Sequence, residues 1–103
     1  MAEPKFIELM REETPEVNSA FRGLVTALEE SGGLDSKTFQ LVYLGIKASK
    51  GEVNSAAAHA GMAKKAGATR EEVRGAVMIS LMTDGVDGIA SCLEAVLDSY
   101  DKT

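Results

Sequence analysis

Several residue types are scarce in this chain, and each scarcity argues against a class of site. The 103 residues include no tryptophan, one cysteine and one histidine. Because Cys92 stands alone, one chain can form neither an internal disulfide nor a cysteine-rich metal site. A lone histidine with no cysteine at ligand spacing makes a poor zinc site, and no glycine-rich phosphate loop follows a strand pattern. We therefore expect a reducing compartment and no bound metal or cofactor.

Long apolar runs and basic clusters are also missing. No apolar run approaches the roughly 18 residues of a membrane span, and no apolar stretch follows a basic cluster at the start of the chain. Eleven lysines and arginines against sixteen acidic residues give a net charge of -5. This charge repels the phosphates of nucleic acids and acidic membrane surfaces. We expect a cytoplasmic protein that binds neither nucleic acid nor membranes.

Length and composition predict one small domain with a thin core. The chain has only three phenylalanines and two tyrosines, although 45% of its residues are apolar, many of them alanine. Two separate cores would each be too small to fold unaided. Closely packed helices that continue into neighbouring subunits would supply the missing burial. We expect residues 1–103 to form a single domain that assembles into a homo-oligomer.

Capping signals in the first half of the chain predict helices. Thr14 and Pro15 indicate a helix start, because a hydroxyl that can cap the helix precedes a proline ring whose φ is already helical. The glycines at 32 and 33 indicate its end, so a helix is predicted over 15–31. Upstream, the apolar residues of 6–10 fit either a short arm-like helix or an irregular segment. Asp35 is expected to cap the next helix, which is apolar almost all round and therefore predicted to be central and buried.

The second half predicts three more helices and no strands. One runs from about 54 to 67, and the next starts at Thr69, where Glu72 completes a capping box. The last helix has apolar residues at helical spacing over 86–100. No segment shows the alternation of a half-buried strand. The sequence therefore predicts an all-α fold of about six helices.

His59 is the first candidate for chemistry, because imidazole can exchange a proton near neutral pH without special tuning. Ser55 lies four residues before it and Glu52 seven before, so a helix continued back that far would place all three on one stripe. A carboxylate can fix the tautomer of an imidazole, and a histidine can activate a serine. Each residue also has a structural interpretation: His59 as a core or interface hydrogen-bond donor, and Ser55 and Glu52 as helix-start residues.

Three segments in the same order resemble the carboxymuconolactone decarboxylase and AhpD-like alkylhydroperoxidase family. Residues 34–41 resemble the family's L-D-x-K-T-R-E-L-I segment, and residues 65–73 resemble its A-G-A-T-x-E-E-I segment. His59 lies between them at the spacing of the family's histidine. With the glycine turn at 85–90, the resemblance covers residues 34–96. It implies a helical subunit in a trimer or hexamer.

In the peroxidase branch of this family, a cysteine pair carries the redox chemistry, and the resemblance places no cysteine at either position here. Glu52 and Ser55 take the two cysteine positions, Gln40 takes the position of an upstream glutamate, and His59 is kept. Neither a carboxylate nor a hydroxyl can be oxidised as a thiol is. Cys92 lies far along the sequence and is expected to be a small buried residue. Alkylhydroperoxidase activity is thus an alternative implied by family alone.

The decarboxylase branch also lacks the cysteine pair and keeps the histidine. The resemblance implies removal of carboxylate from a small lactone, with His59 supplying a proton to the carbanion. Glu52 would orient His59, and Ser55 or Gln40 would bond a substrate oxygen. Candidate cations for a carboxylated substrate are Lys47, Lys50, Lys64, Lys65 and Arg70. Such residues near helix ends also commonly belong to a solvated face. A further alternative is a noncatalytic oligomeric scaffold or ligand-binding module.

Overall fold

The computed structural model describes residues 4–103, and all regular structure within them is helical. The helices are α1 (Lys5–Glu13), α2 (Pro15–Ser31), α3 (Ser36–Ser49), α4 (Val53–Lys65), α5 (Arg70–Met78), α6 (Ser80–Thr83) and α7 (Asp87–Lys102). The predicted all-α fold is confirmed, and the segment left open before Thr14 is helical over α1. The one-turn helix α6 was not predicted as a separate element. No helix among these is both long and apolar enough to cross a membrane.

The chain divides into two units, one ending at Leu34 and the other covering Asp35–Thr103. In the first unit, α1 and α2 pack against each other, and neither helix contains a buried residue. Pro15 begins α2 as predicted, but Thr14 does not cap that helix with its side chain. Its hydroxyl instead donates to the carbonyl oxygen of Met10, at 3.1 Å, and closes α1. The hydroxyl therefore does not cap α2, although the carbonyl oxygen of Thr14 accepts the amide of Asn18 in that helix.

The core of the second unit is built from small side chains. In it α4 packs against both α3 and α7, and α5 packs against α3 and α7. The buried apolar residues are Leu44, Ala48, Ala56, Ala60, Ala63, Ala68, Val73, Val77, Cys92 and Val96. At Gly88 a Cβ atom would lie 2.5 Å from the carbonyl oxygen of Ala48, so only glycine allows α7 to approach α3 this closely. Small residues therefore give short distances between helix axes.

Helix boundaries in this unit follow the predicted caps. The side chain of Asp35 accepts a hydrogen bond from the Thr38 amide at 2.7 Å, which lowers the pKa of Asp35. Thr69 and Glu72 form the complete capping box at the start of α5. Gly67 has a φ of +99°, the left-handed conformation expected after α4. These predictions are confirmed because each depends on residues close together in sequence.

The prediction that α3 is buried was wrong in part. Helix α3 is not buried all round, since Val42 and Ile46 are about half exposed while Leu44 and Ala48 are fully buried. In α7 the buried residues are Gly88, Cys92 and Val96, and Ile89, Leu93 and Tyr100 are partly buried against the core. An apolar pattern marks large side chains, whereas close helix contacts select small ones.

Candidate functional site

Three polar or aromatic residues lie on one side of α3, toward α4. Gln40, Tyr43 and Lys47 are spaced by three and four residues, so they share one face of the helix. His59 lies in the middle of α4, which packs along α3. The contact between the two helices therefore brings the only histidine to the side chains of Gln40 and Tyr43.

A short hydrogen bond fixes the histidine tautomer. Nδ1 of His59 lies 2.6 Å from Oε1 of Gln40. Because a carboxamide oxygen can only accept, Nδ1 is the nitrogen that carries the proton. In the neutral ring Nε2 then holds the free lone pair, and it bonds to none of the residues 4–103. Nε2 is the ring position open to a ligand.

Tyr43 holds the plane of the same ring. The two ring centroids are 3.7 Å apart and the planes differ by 21°, which is a stacked arrangement. The stack restrains tilting of the imidazole, and the bond to Gln40 restrains its rotation in the plane. His59 is half-buried, so it is fixed by its surroundings without being enclosed.

The surroundings of His59 favour its neutral form. Burial lowers the pKa of His59 below its usual value near 6.5, and the positive charge of Lys47 lowers it further. At pH 7 the ring is therefore predominantly neutral, with Nε2 unprotonated. Once protonated, the ring is a stronger acid than an unperturbed imidazolium.

Glu52 is engaged by lysines rather than by the histidine. Its Oε2 lies 2.7 Å from Nζ of Lys47, and its Oε1 lies 3.7 Å from Nζ of Lys50. The hydrogen bond lowers the pKa of Glu52 and raises that of Lys47. Helix α4 begins at Val53, so Glu52 precedes it with non-helical backbone angles and does not continue the stripe of His59. The position predicted for Glu52 beside the imidazole is occupied by Gln40.

Ser55 is placed as the helical spacing predicts. It lies on α4 one turn before His59 and is partly exposed. Its hydroxyl has no hydrogen-bond partner among the residues that the structure describes. Ser55 and His59 thus share a face, with a free hydroxyl and a free ring nitrogen.

Sequence reasoning missed Tyr43 as a site residue and did not single out Lys47 from the other cations. The spacing from Gln40 could have identified both residues, since positions three and seven residues after it share its helix face. Two of the other candidates are engaged at the end of α7. Lys64 donates to the carbonyl oxygen of Tyr100, and Arg70 pairs with Asp101. Lys47 is the candidate whose charge acts on His59.

A groove of about 690 Å³ lies on another side of α3, between this helix and α5 and α6. We call it the apolar groove, and its main lining residues are Val42, Gly45, Ile46, Gly75, Ala76 and Ile79. Val42 and Ile46 lie well over a quarter turn away from Gln40 around α3, and neither Gln40 nor Tyr43 lines the groove. His59 does not line it. The groove and the candidate proton-transfer residues are therefore separate features.

Among the described residues, neither the surroundings of His59 nor the apolar groove contains a cluster of possible metal ligands. Within residues 4–103, no three side chains among histidine, cysteine, aspartate and glutamate are arranged to hold a metal ion. Cys92 is fully buried, as expected, and burial raises the pKa of its thiol. A high thiol pKa disfavours the reactive thiolate.

Comparison with solved structures first defines the fold. The chain superimposes with a TM-score of 0.85 on the 1.65 Å crystal structure of a Burkholderia xenovorans LB400 protein that is provisionally named a carboxymuconolactone decarboxylase. The match covers 98% of this chain and 79% of the other, at 17% sequence identity. A comparison with curated proteins finds no match. The sequence model of the carboxymuconolactone decarboxylase family matches residues 15–98, and the chain belongs to that family.

Proposed function

We propose that this chain is a small-molecule enzyme in which Nε2 of His59 transfers a proton, in a decarboxylase-like lyase reaction. The observation that supports this most directly is the 2.6 Å bond between Nδ1 of His59 and Gln40. It assigns the ring proton to Nδ1 and leaves Nε2 without a hydrogen-bond partner among the described residues. Family membership supplies the reaction class, and the position of His59 supplies the group that acts.

Decarboxylation of a carboxylated lactone breaks one carbon–carbon bond and consumes one proton. The electron pair of that bond stays on the lactone carbon as CO₂ leaves. Nε2 of His59, protonated from solvent, donates its proton to this carbon, and the ring returns to the neutral form that burial favours. The lowered pKa makes the imidazolium scarcer at pH 7 but a better acid. Turnover should therefore rise as the pH falls toward the pKa of His59.

The neighbouring side chains have assigned roles in this proposal. Gln40 orients the imidazole, and the hydroxyl of Ser55 hydrogen-bonds an oxygen of the substrate. Lys47 attracts the substrate carboxylate, in exchange with the carboxylate of Glu52 that holds it at 2.7 Å. Glu52 thus positions Lys47 rather than His59. Homo-oligomeric assembly, as a trimer or hexamer, is part of the same proposal.

The direct test uses carboxymuconolactone, the compound in the family's name, and follows release of CO₂. We expect turnover by the wild-type protein, loss of turnover in His59→Gln, and retention in Met62→Gln, an exposed change on the same helix. A thermal melt with the lactone should show stabilisation of the wild type. The alternative of a noncatalytic module would be supported if a panel of small carboxylated lactones gave neither turnover nor a shift in melting temperature.

A further inference from the structure

Ser55 and His59 lie one turn apart on α4, at positions that share a helix face. Side chains on a helix lean toward its N-terminus, over the residues three and four positions before. The imidazole of His59 therefore leans toward the turn that contains Ser55. Among residues 4–103, no hydrogen bond holds the Ser55 hydroxyl or Nε2 of His59. A free hydroxyl and a free basic nitrogen are the two groups that an activated serine needs.

Gln40 stands to this pair as the third member stands to a catalytic triad. Its Oε1 lies 2.6 Å from Nδ1 of His59, so the ring proton is on Nδ1 and the lone pair is on Nε2. A triad needs this tautomer, because Nε2 must accept the proton of the hydroxyl. A carboxamide fills the same position in proteases with a Cys-His-Asn arrangement. Tyr43 adds a second restraint, since it stacks on the imidazole with the ring centroids 3.7 Å apart.

The first turn of α4 adds hydrogen-bond donors beside these three side chains. Glu52 precedes the helix and does not cap it with its side chain, and its carbonyl oxygen accepts the amide of Ala56. The amides of Val53, Asn54 and Ser55 have no acceptor among the described residues. Free amides at a helix start attract negative charge, and such donors stabilise the oxyanion that forms when a nucleophile attacks a carbonyl.

We propose that Ser55 is a nucleophile activated by His59, and that this chain also hydrolyses small carboxylic esters and lactones. The Ser55 oxygen bonds to the carbonyl carbon as its proton moves to Nε2 of His59. The bond from that carbon to the leaving oxygen then breaks, and the leaving oxygen takes the proton from Nε2. Water releases the acyl group from Ser55 by the same two steps, with His59 again accepting and returning the proton. The products are an alcohol and a carboxylic acid.

This hydrolysis and the proposed decarboxylation share His59 but need opposite protonation states of its ring. Hydrolysis needs the neutral imidazole, which burial and the charge of Lys47 favour by lowering the pKa of His59. Its rate should rise with pH through that pKa and level off above it. Decarboxylation should slow over the same range. The proposal does not rest on the decarboxylase reaction, because the two products, alcohol and CO₂, are measured separately.

A fluorophosphonate probe tests the nucleophile directly, since the oxygen of an activated serine displaces fluoride from phosphorus. Peptide mass mapping then identifies the labelled residue. We expect the label at Ser55, at a rate that falls about 10²-fold or more in His59→Gln. Ser55→Ala should remove the label, whereas Ser91→Ala, at an exposed serine of α7, should keep it. Labelling of no residue, labelling of another serine alone, or an unchanged rate in His59→Gln would overturn the proposal.

Hydrolysis of p-nitrophenyl acetate gives a second measurement, in which a matched pair of variants separates chemistry from folding. Ser55→Cys keeps a nucleophile at the position and should release a burst of p-nitrophenol as the acyl enzyme accumulates. Ser55→Ala should give no burst, and its circular dichroism should match the wild type. Gln40→Leu should slow the burst, because the ring loses its preferred tautomer. A wild type no faster than Ser55→Ala would overturn the proposal, even if it releases CO₂ from the lactone.

Discussion

Two sides of α3 differ in the contacts that their side chains make. On one side Gln40 bonds to His59 at 2.6 Å, and Tyr43 stacks on the same ring with the centroids 3.7 Å apart. On the other side Val42 and Ile46 are about half exposed along the apolar groove. The polar side obtains its partners within the subunit, whereas the apolar side leaves large side chains in water. The contacts of His59 and an exposed apolar surface thus lie on different sides of one helix.

The largest effect is expected on catalysis, when the imidazole that contacts the polar side of α3 is removed. His59→Ala should lower turnover of the lactone by 10²- to 10⁴-fold, the usual contribution of a positioned proton donor. Its stability should fall much less, because His59 is half-buried and Nε2 bonds to no described residue. CO₂ release and chemical denaturation measure the two quantities. A loss of stability of about 2 to 4 kcal/mol with unchanged turnover would instead identify His59 as a structural residue.

The second largest effect is expected on the free energy of unfolding, where substitutions on the buried side and on the groove side of α3 should differ. Leu44→Ala removes a fully buried side chain and should cost about 3 to 5 kcal/mol of unfolding free energy. Ile46→Ala, two residues later and about half exposed, should cost about 1 kcal/mol or less in dilute protein. Urea denaturation checks both values. Similar losses in the two variants would show that the groove side is as buried as the core side.

The pKa of His59 tests the contact with Gln40 on the polar side of α3 more selectively. Because the chain has one histidine, its ring can be titrated by NMR without assignment ambiguity. The wild type should show the proton on Nδ1 and a pKa below 6.5. Gln40→Glu places a negative charge beside Nδ1 and should raise the pKa by roughly one unit or more. Gln40→Leu should lose the preference for the Nδ1 tautomer.

The same titration predicts the sign of a stability change. The pKa of His59 is lower in the folded protein than in the unfolded chain. The unfolded chain therefore binds more protons at mildly acidic pH. The contribution of His59 to stability is lost as the pH falls from about 6.5 through the folded pKa. In Gln40→Glu this contribution should shrink or reverse. Melting temperatures between pH 5 and pH 7.5 measure it. A wild-type pKa above 6.5 would contradict the neutral resting state.

The smallest effect is expected at Glu52. Its ion pair with Lys47 is exposed, and exposed pairs contribute little to stability. Glu52→Gln should therefore leave the melting temperature unchanged within error. If Glu52 positions Lys47 as proposed, the variant should alter KM for the lactone without moving the pKa of His59. A change in that pKa comparable to the effect of Gln40→Glu would return the orienting role to Glu52.

Local signals predicted the fold well because their causes are local. Asp35 caps α3, and Thr69 with Glu72 caps α5, through bonds between residues three apart. The position of Glu52 was not predictable in the same way. Whether α4 extends one more turn depends on the turn at Gly51, which has a φ of +71° and ends the helical path before Val53.

The sequence by itself determined the all-α class and the main helix boundaries, and it singled out His59 as a candidate, since capping, helical period and proton chemistry belong to residues or short segments. Only the tertiary structure decided that Gln40 and Tyr43, nineteen and sixteen residues before His59, are its partners. It also decided which apolar side chains are left exposed on α3 and α6. The physical reason is that a helix pattern specifies the residues on each face, whereas the packing of other helices specifies what each face meets.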